Sequence, residues 1–155
     1  MRLIDEVAVG GAAGRGTDTR IVVPQPDSPG SRLRERRSNR LARGLVSLGV
    51  LPGDLVVVLC CETHREDRAV GYLATLKAGA TPVVLPVLPA RQLRARLLSA
   101  RPRQLLACGE GLDAWRASGV CCQVIGDEPG MTWWKMLEAR QSPLPFQVST
   151  ADGTT

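Results

Sequence analysis

Hydrophobic and polar positions along this chain fall into blocks that repeat a strand and then a helix. The run "LVVVLCC" at residues 55–61 has seven apolar residues without alternation, which predicts a strand buried on both faces. Shorter apolar runs predict further strands at 81–86, 103–108 and 120–125, with helical spacing at about 66–78, 90–100 and 112–118. This repeat predicts an α/β domain of three layers, with a mostly parallel sheet and right-handed crossovers.

The pattern is less regular towards the two ends. Residues 2–9 predict a short amphipathic helix, which the glycines of "GGAAGRG" break; the β-branched stretch that follows is not the helix that a dinucleotide fingerprint requires. A helix is predicted from Arg32 to Leu48, ending at Gly49. Another is predicted after Gly130, capped by Thr132, with at least one indole of the pair Trp133–Trp134 packed against the helices. The stretch "FQVS" is either a strand or part of a loop.

Composition narrows the classes of partner. With 155 residues and 44% hydrophobic residues the chain fits one domain, and 3% aromatic residues argue against single-strand nucleic-acid binding by stacking. The net charge of +5 equals the excess carried by residues 32–43, which hold six arginines and one glutamate. We interpret these arginines as the solvated face of an amphipathic helix and expect no nucleic-acid partner; an anionic-lipid or nucleic-acid site at Arg32, Arg36, Arg40 and Arg43 ranks below that interpretation.

The five cysteines and one histidine do not have the spacing of a metal site. No Cys-x-x-Cys occurs, and His64 has no second histidine, so no metal ligand is expected and His64 is interpreted as a surface-loop residue. The cysteines are expected to be reduced, buried residues of a cytoplasmic protein. No apolar stretch approaches the roughly 18 residues of a membrane span, and Asp5 and Glu6 are unlike a signal peptide, so the chain is expected to be unexported.

Two phrases carry a resemblance to a known family. The stretch "RRSNRLARGLVSLGVLPGDLVVVL", followed by "YLATLKAGATPVVLPVLPARQLRARLLSARPRQLLA", resembles the N-terminal subdomain of the adenylate-forming (AMP-binding) superfamily. That superfamily includes acyl- and aryl-CoA synthetases, adenylation domains of peptide synthetases, and luciferases. The resemblance covers residues 31–107 well and 1–155 loosely. It is closer to fatty-acid-CoA ligases, because peptide-synthetase modules usually continue the second phrase as Tyr-Val-Pro-Ile-Asp.

The resemblance implies a reaction and a phosphate loop. In the family, a carboxylic acid is adenylated with ATP and Mg²⁺ and then passed to CoA. Gly153, Thr154 and Thr155 match the Gly-Thr-Thr of the loop that holds the β- and γ-phosphates of ATP. Asp152 stands where the family usually has serine, and its carboxylate would repel phosphate unless a metal bridged the two.

The remaining groups that the family uses for chemistry would lie beyond residue 155. The leading interpretation is therefore a truncated fatty-acid-CoA-ligase-like protein with no catalytic residues of its own, expected to bind ATP, Mg²⁺ and CoA weakly at most. Residues 1–141 would form the α/β subdomain and 142–155 a flexible tail. Such a chain is expected to self-associate or to need a partner chain. The alternative is a stand-alone protein-interaction module derived from the same scaffold.

Overall fold

The computed structural model describes residues 7–8, 20–21, 28–129 and 131–148. In these residues five parallel strands form one sheet, in the order β4-β3-β5-β6-β7, and a separate antiparallel pair is formed by β1 and β2. The strands are β1 (Val7–Ala8), β2 (Arg20–Ile21), β3 (Leu55–Cys60), β4 (Thr81–Val84), β5 (Gln104–Cys108), β6 (Val124–Gly126) and β7 (Thr132–Trp133). The helices are α1 (Pro29–Ser47), α2 (Arg65–Lys77), α3 (Ala90–Ala100), α4 (Glu110–Ser118) and α5 (Trp134–Ala139), with a 3₁₀ turn at Glu62–His64. The predicted α/β class is confirmed.

Local chemistry explains where the first long helix begins. Helix α1 starts three residues before the predicted Arg32, because Pro29 occupies its first turn and the Ser28 side chain accepts a hydrogen bond from the Ser31 amide at 3.0 Å. The helix is followed by Gly49 at φ +95°, a left-handed conformation that favours glycine. Asp54 then closes the turn, accepting from the Leu51 amide at 2.8 Å.

The sheet lies between two helical layers, each with its own part of the core. On one face α1, α2 and α5 pack over alternate strand residues such as Val56, Val58 and Leu106. On the other face α3 and α4 pack over Val57 and Leu105. Because successive side chains of a strand point to opposite faces, both sets must be apolar, and this is why β3 reads as an unbroken apolar run.

The predicted helix over residues 2–9 is wrong at the two residues of this stretch that the structure describes. Val7 and Ala8 form strand β1, which pairs antiparallel with Arg20 and Ile21. A helix of eight residues is marginal by itself, and pairing with a second strand satisfies the same backbone groups. The other residues of that stretch, and the glycines of 10–16, lie outside the described residues.

The segment around Trp133 and Trp134 also differs in detail from its prediction. Thr132 is not a helix cap: Thr132 and Trp133 form β7, which pairs with β6, and α5 begins only at Trp134. The Trp134 indole is buried, as expected for one of the two, whereas Trp133 is 47% exposed. Short parallel pairing with β6 therefore overrides the capping pattern. Phe146 to Val148 form no strand, and Ser149 lies outside the described residues.

The arginines of α1 do not form a purely solvated face. Arg32 and Arg36 are exposed, but Arg34 is buried and pairs with Glu66, and Arg37 is largely buried. Arg43 lies over the Phe146 ring, 4.7 Å from its centroid. Spacing along one helix could not show that acidic side chains of α2 and α5 would lie opposite these arginines.

Residues 142–148 contact α1 and α2 along their length. Arg43 donates to the carbonyl oxygens of Ser142, Leu144 and Pro145 at 3.1–3.3 Å. The Val148 amide donates to the Lys77 carbonyl at 2.8 Å. The domain boundary at residue 141 and the flexibility of 142–155 remain predictions, and these contacts argue against mobility in 142–148. Among the helices in the described part of the chain, none is long and apolar enough to cross a bilayer.

Candidate functional site

The topology has a switch point at the carboxyl edge of the parallel sheet, between β3 and β5. The chain leaves β3 for α2 on one face, and leaves β5 for α4 on the other face, although β3 and β5 are neighbours. Helices that diverge in this way leave a gap outside the carboxyl ends of the two strands, where ligands of open α/β sheets usually bind. Cys60 ends β3 here and is followed by Cys61, and Cys108 ends β5 and is followed by Gly109.

Cys61, Thr63 and His64 form a compact cluster at this gap. The Cys61 Sγ lies 3.0 Å from Thr63 Oγ1 and 3.3 Å from His64 Nδ1. The two partners are 3.2 Å from each other, measured from Thr63 Oγ1 to His64 Nδ1. The cluster stays local because the 3₁₀ turn Glu62–His64 folds the chain back immediately after β3. A thiol and an imidazole at this separation are the pair from which a thiolate nucleophile is formed in proteins.

The surroundings of Cys61 favour its charged form. Desolvation by burial works against the thiolate, but hydrogen bonds from the Thr63 and His64 side chains and from the Thr63 and Glu110 amides outweigh it, and they lower the pKa of the Cys61 thiol to about 7. The hydrogen bond with Cys61 raises the pKa of His64; burial opposes this, and the charges of Cys61, Asp67 and Asp127 add to it. Both shifts favour a thiolate beside an imidazolium.

Two glycines allow α4 to approach this cluster. Gly109 has φ +59°, and a Cβ there would lie 2.6 Å from His64 Cε1. Gly111 leaves no room for a Cβ against the carbonyl oxygen of Leu59. A side chain at either position would push α4 away, and the Glu110 amide would then no longer reach Cys61.

A second pair of thiols lies in the core at the ends of the same two strands. Cys60 and Cys108 are register partners in β3 and β5, and the Cys108 thiol donates to Cys60 Sγ at 3.4 Å. This hydrogen bond, together with burial, raises the pKa of the Cys60 thiol far above its usual range. Both residues are buried, and the Cys60 thiol is held neutral, unlike that of Cys61.

His64, Asp67 and Cys108 bring their potential ligand atoms within 4.8 Å of one another. Asp67 Oδ1, however, already accepts from Arg37 at 2.9 Å, and Cys108 is engaged with Cys60. The cluster therefore has protein partners for its polar atoms. The expectation that this chain holds no metal ion stays a prediction.

An ion-pair network supports the site from the helical layer. Arg37 donates to both oxygens of Glu138 and to Asp67, each at 2.9 Å. Glu138 also accepts from the buried Trp134 Nε1 at 2.6 Å. The pKa of Arg37 is raised, because these hydrogen bonds and charges outweigh the desolvation that opposes them. The network joins α1, α2 and α5 beside the strand end that carries Cys61.

The phosphate-loop residues Gly153, Thr154 and Thr155 lie outside the described residues. The described chain ends at Val148, whose amide is bound at Lys77, and its side chain lies against Gly79, at the amino edge of the sheet.

Two further expectations about side chains need correction. His64 is half-buried and fixed by Cys61, so it is not an unconstrained surface-loop histidine. Cys121 is exposed and Cys122 half-buried, because β6 begins only at Val124 and both cysteines lie in the preceding loop. The sequence analysis missed the Cys61 cluster. The sequence does contain one signal of this cluster, a cysteine at the end of a buried strand and three residues before the single histidine.

Comparison with known proteins identifies the family. The family model described as "AMP-binding enzyme" matches residues 32–152, which is most of the chain. This chain belongs to the AMP-binding enzyme family. Membership implies the use of ATP by the family's complete enzymes, and it agrees with the resemblance that the two sequence phrases carry.

Individual relatives show how much of a family member this chain spans. It is 38% identical over 116 residues, 74% of its length, to malpinin synthetase of Mortierella alpina. It superposes on a benzoate CoA ligase from Burkholderia xenovorans with a TM-score of 0.67 and 25% identity over 76% of this chain. Its superposition on an anthranilate CoA ligase in complex with anthranoyl-AMP has a TM-score of 0.66 and 18% identity over 77% of this chain. That similarity shows the fold alone. The chain spans 2% of the synthetase and 24% of each CoA ligase.

Proposed function

We propose that this chain is the N-terminal part of an acid-activating enzyme of the fatty-acid-CoA-ligase type, and that it is inactive by itself. The parent reaction adenylates a carboxylic acid with ATP and Mg²⁺ and passes the acyl group to the thiol of CoA. The observation that carries this proposal is the AMP-binding match over residues 32–152. A cytoplasmic location fits a reaction that uses soluble nucleotide and CoA.

The described residues support a scaffold role more than a catalytic one. Within 28–129 and 131–148, Lys77 has a structural contact: its ammonium donates to Ser38 Oγ at 2.8 Å and Asn39 Oδ1 at 2.9 Å, joining α2 to α1. The phosphate contacts are assigned to Gly153, Thr154 and Thr155 by resemblance. An acyl pocket and a second nucleotide-binding segment would have to come from another part of the protein or from a partner chain.

The first test is exchange of pyrophosphate into ATP by the purified 155-residue chain. We expect no exchange above background with fatty, aryl or amino acids, because a single loop provides neither an acyl pocket nor metal ligands. Exchange that depends on an added acid would overturn the proposed inactivity.

The second test uses the coding sequence that follows the Thr155 codon. Codons for Gly and then Pro-Lys-Gly or Pro-Gln-Gly would complete the loop, and a chain extended to the end of that reading frame should exchange pyrophosphate. In the extended chain, Thr154→Val should lower the exchange rate by about 10²-fold, as removal of one transition-state donor does, and Ser142→Ala serves as the matched control. A stop codon followed by unrelated sequence would favour an interaction module. The acid that gives exchange would show whether fatty acids are the substrates.

A further inference from the structure

The Cys61 cluster has chemistry that the proposed function does not use. Neither adenylation nor transfer to CoA needs a cysteine thiolate from the protein, yet the Cys61 sulfur has four hydrogen-bonding partners. They are the hydroxyl of Thr63, the imidazole of His64, and the amides of Thr63 and Glu110. A buried structural thiol requires none of these. The two thiols of Cys60 and Cys108, by comparison, bond only weakly and to neutral or distant groups.

We propose that Cys61 is a modification site, where a small hydroperoxide oxidises the sulfur to sulfenic acid in preference to the other four cysteines. The proposal rests on the Cys61–Thr63–His64 cluster and on its place at the carboxyl ends of β3 and β5, where the chain turns to opposite faces of the sheet. It goes beyond the proposed function and does not depend on it.

The reaction uses only the Cys61 thiol, the His64 imidazole and the hydroperoxide itself. The Cys61 thiol proton passes to His64, and the thiolate attacks the hydroxyl oxygen of the hydroperoxide. An S–O bond forms as the O–O bond breaks, so the sulfur is oxidised by two electrons and the peroxide is reduced. The leaving alkoxide, or hydroxide from hydrogen peroxide, takes the proton from the His64 imidazolium and departs as alcohol or water.

Access limits the oxidant to a small molecule. Cys61 is only 9% exposed, whereas Thr63, whose hydroxyl contacts the sulfur, is exposed, so only a small oxidant can reach the sulfur beside this turn. The adjacent Cys60 lies in the core beneath α1, α2 and α5, where its sulfur contacts Cys108. None of the four hydrogen-bonding partners of the Cys61 sulfur is a thiol, so dimedone supplied in solution should trap a sulfenic acid formed there.

The protonation states favour the same cysteine. With a pKa of about 7, roughly 70% of Cys61 is thiolate at about pH 7.4, against roughly 7% for a thiol of ordinary pKa near 8.5. Such a pKa near the ambient pH also keeps the thiolate strongly nucleophilic. The charged groups that face His64 are Asp67 and Asp127, and both are acidic, so they support its imidazolium form.

The test follows each cysteine separately in the intact chain. The protein is treated with hydrogen peroxide for increasing times, denatured in the presence of dimedone, which labels sulfenic acid, and mapped by peptide mass spectrometry. We expect Cys61 to be labelled at least about fivefold faster than the exposed Cys121, with a rate that rises with pH about a midpoint near 7. Faster labelling of Cys121, or equal rates, would overturn the proposal.

Variants distinguish activation of Cys61 by its cluster from an effect of solvent exposure alone. His64→Gln should slow the labelling of Cys61 about fivefold or more and move its midpoint upwards, whereas Cys121→Ser should leave the Cys61 rate unchanged. Thr63→Val, at an exposed position, removes one hydrogen bond at little cost in stability and should give a smaller effect in the same direction. If neither the His64 nor the Thr63 substitution changes the rate or the midpoint, the cluster does not activate Cys61. If His64→Gln fails to fold, the labelling rate of Thr63→Val and the pH profile of the wild type still show whether the cluster activates Cys61.

Discussion

At the scale of single residues, the positions that matter most are those where the backbone of one element touches another. Gly111 brings α4 against the Leu59 carbonyl at the end of β3, and Gly109 packs on His64. The Cys61 sulfur depends on both, because it accepts a hydrogen bond from the Glu110 amide between them. The lowered pKa of the Cys61 thiol therefore depends on the lack of a side chain at Gly109 and Gly111.

Substitution of Gly111 tests this close approach. Gly111→Ala should destabilise the fold by about 3 kcal/mol, because the new methyl group meets a backbone oxygen that cannot rotate away. Gly30→Ala is the matched control: nothing lies within 4 Å of its Cβ position, and the change should be neutral or stabilising by up to about 1 kcal/mol. Urea denaturation followed by circular dichroism measures both. Equal stabilities of the two variants would contradict the packing argument.

The pH dependence of stability gives a second test at the residue scale. Between about pH 7 and the ordinary pKa of a thiol, the folded chain holds Cys61 as thiolate while the unfolded chain still binds the proton. Because the unfolded state binds more protons there, this residue makes the free energy of unfolding rise with pH, and its contribution is lost as the pH falls through about 7.

The comparison that isolates this effect is wild type against Cys61→Ser. His64, whose pKa the same contact raises, contributes with the opposite sign, because its stabilisation is lost as the pH rises above about 6.5. The melting temperature of the wild type should therefore gain on that of the variant only in the upper part of the range from about pH 6 to 9, where the Cys61 term remains. Cys121→Ser, at an exposed position, serves as the control. A constant difference between wild type and Cys61→Ser across this range would show that the thiolate has no special stabilisation in the folded state.

At the scale of elements, charged side chains join helices that the sequence places far apart. Arg37 of α1 contacts Asp67 of α2 and Glu138 of α5, and its side chain is only 19% exposed while that of Glu138 is 8% exposed. A buried pair of this kind is costly to break, because the partner that remains is a buried charge without compensation. Helices α1, α2 and α5 are therefore held in one arrangement.

Removing the guanidinium tests the network. Arg37→Met should lower the free energy of unfolding by about 3 kcal/mol, since Glu138 would keep only its bond from Trp134. Arg36→Met, an exposed position one residue earlier, should change it by about 0.5 kcal/mol or less. Thermal unfolding followed by circular dichroism compares the two. A loss at Arg36 as large as the loss at Arg37 would assign the effect to helix propensity and not to the network.

At the scale of the whole molecule, the described surface includes large apolar side chains outside the core. Trp133 and Met136 are 47% and 49% exposed and lie within one turn of each other at the start of α5. The outer edges of β4 and β7 carry no further strand in the described residues. Exposed apolar side chains and open strand edges both favour association.

We predict that the isolated chain self-associates through this apolar surface and not through the exposed arginines of α1. Light scattering over a dilution series should show a mass that rises with concentration, and the double variant Trp133→Gln, Met136→Gln should shift the transition to higher concentration. Arg32→Gln, Arg36→Gln is the control and should leave the transition in place. A monomer at high concentration, with no binding of a hydrophobic dye, would contradict the prediction.

The sequence by itself determined the class of fold and the order of its main elements. The residues at 55–61 are apolar without alternation because helices cover both faces of β3, and helix α3 falls on the predicted range, Ala90–Ala100. Signals of this kind are local: the period of the side chains, a capping residue, a glycine after a helix. Each can be recognised from consecutive residues of the sequence. The two stretches that resemble the family contain the same local signals.

Only the tertiary structure decided which distant side chains meet. That Thr132 would pair with β6 instead of capping a helix, or that Arg37 would be buried against Glu138, depends on the order of strands and the face on which each helix packs. The same holds for Cys61, where the sequence shows a cysteine near a histidine but not the Glu110 amide that approaches from another element. Its pKa depends on contacts between groups about fifty residues apart in the chain, and no local period records such contacts.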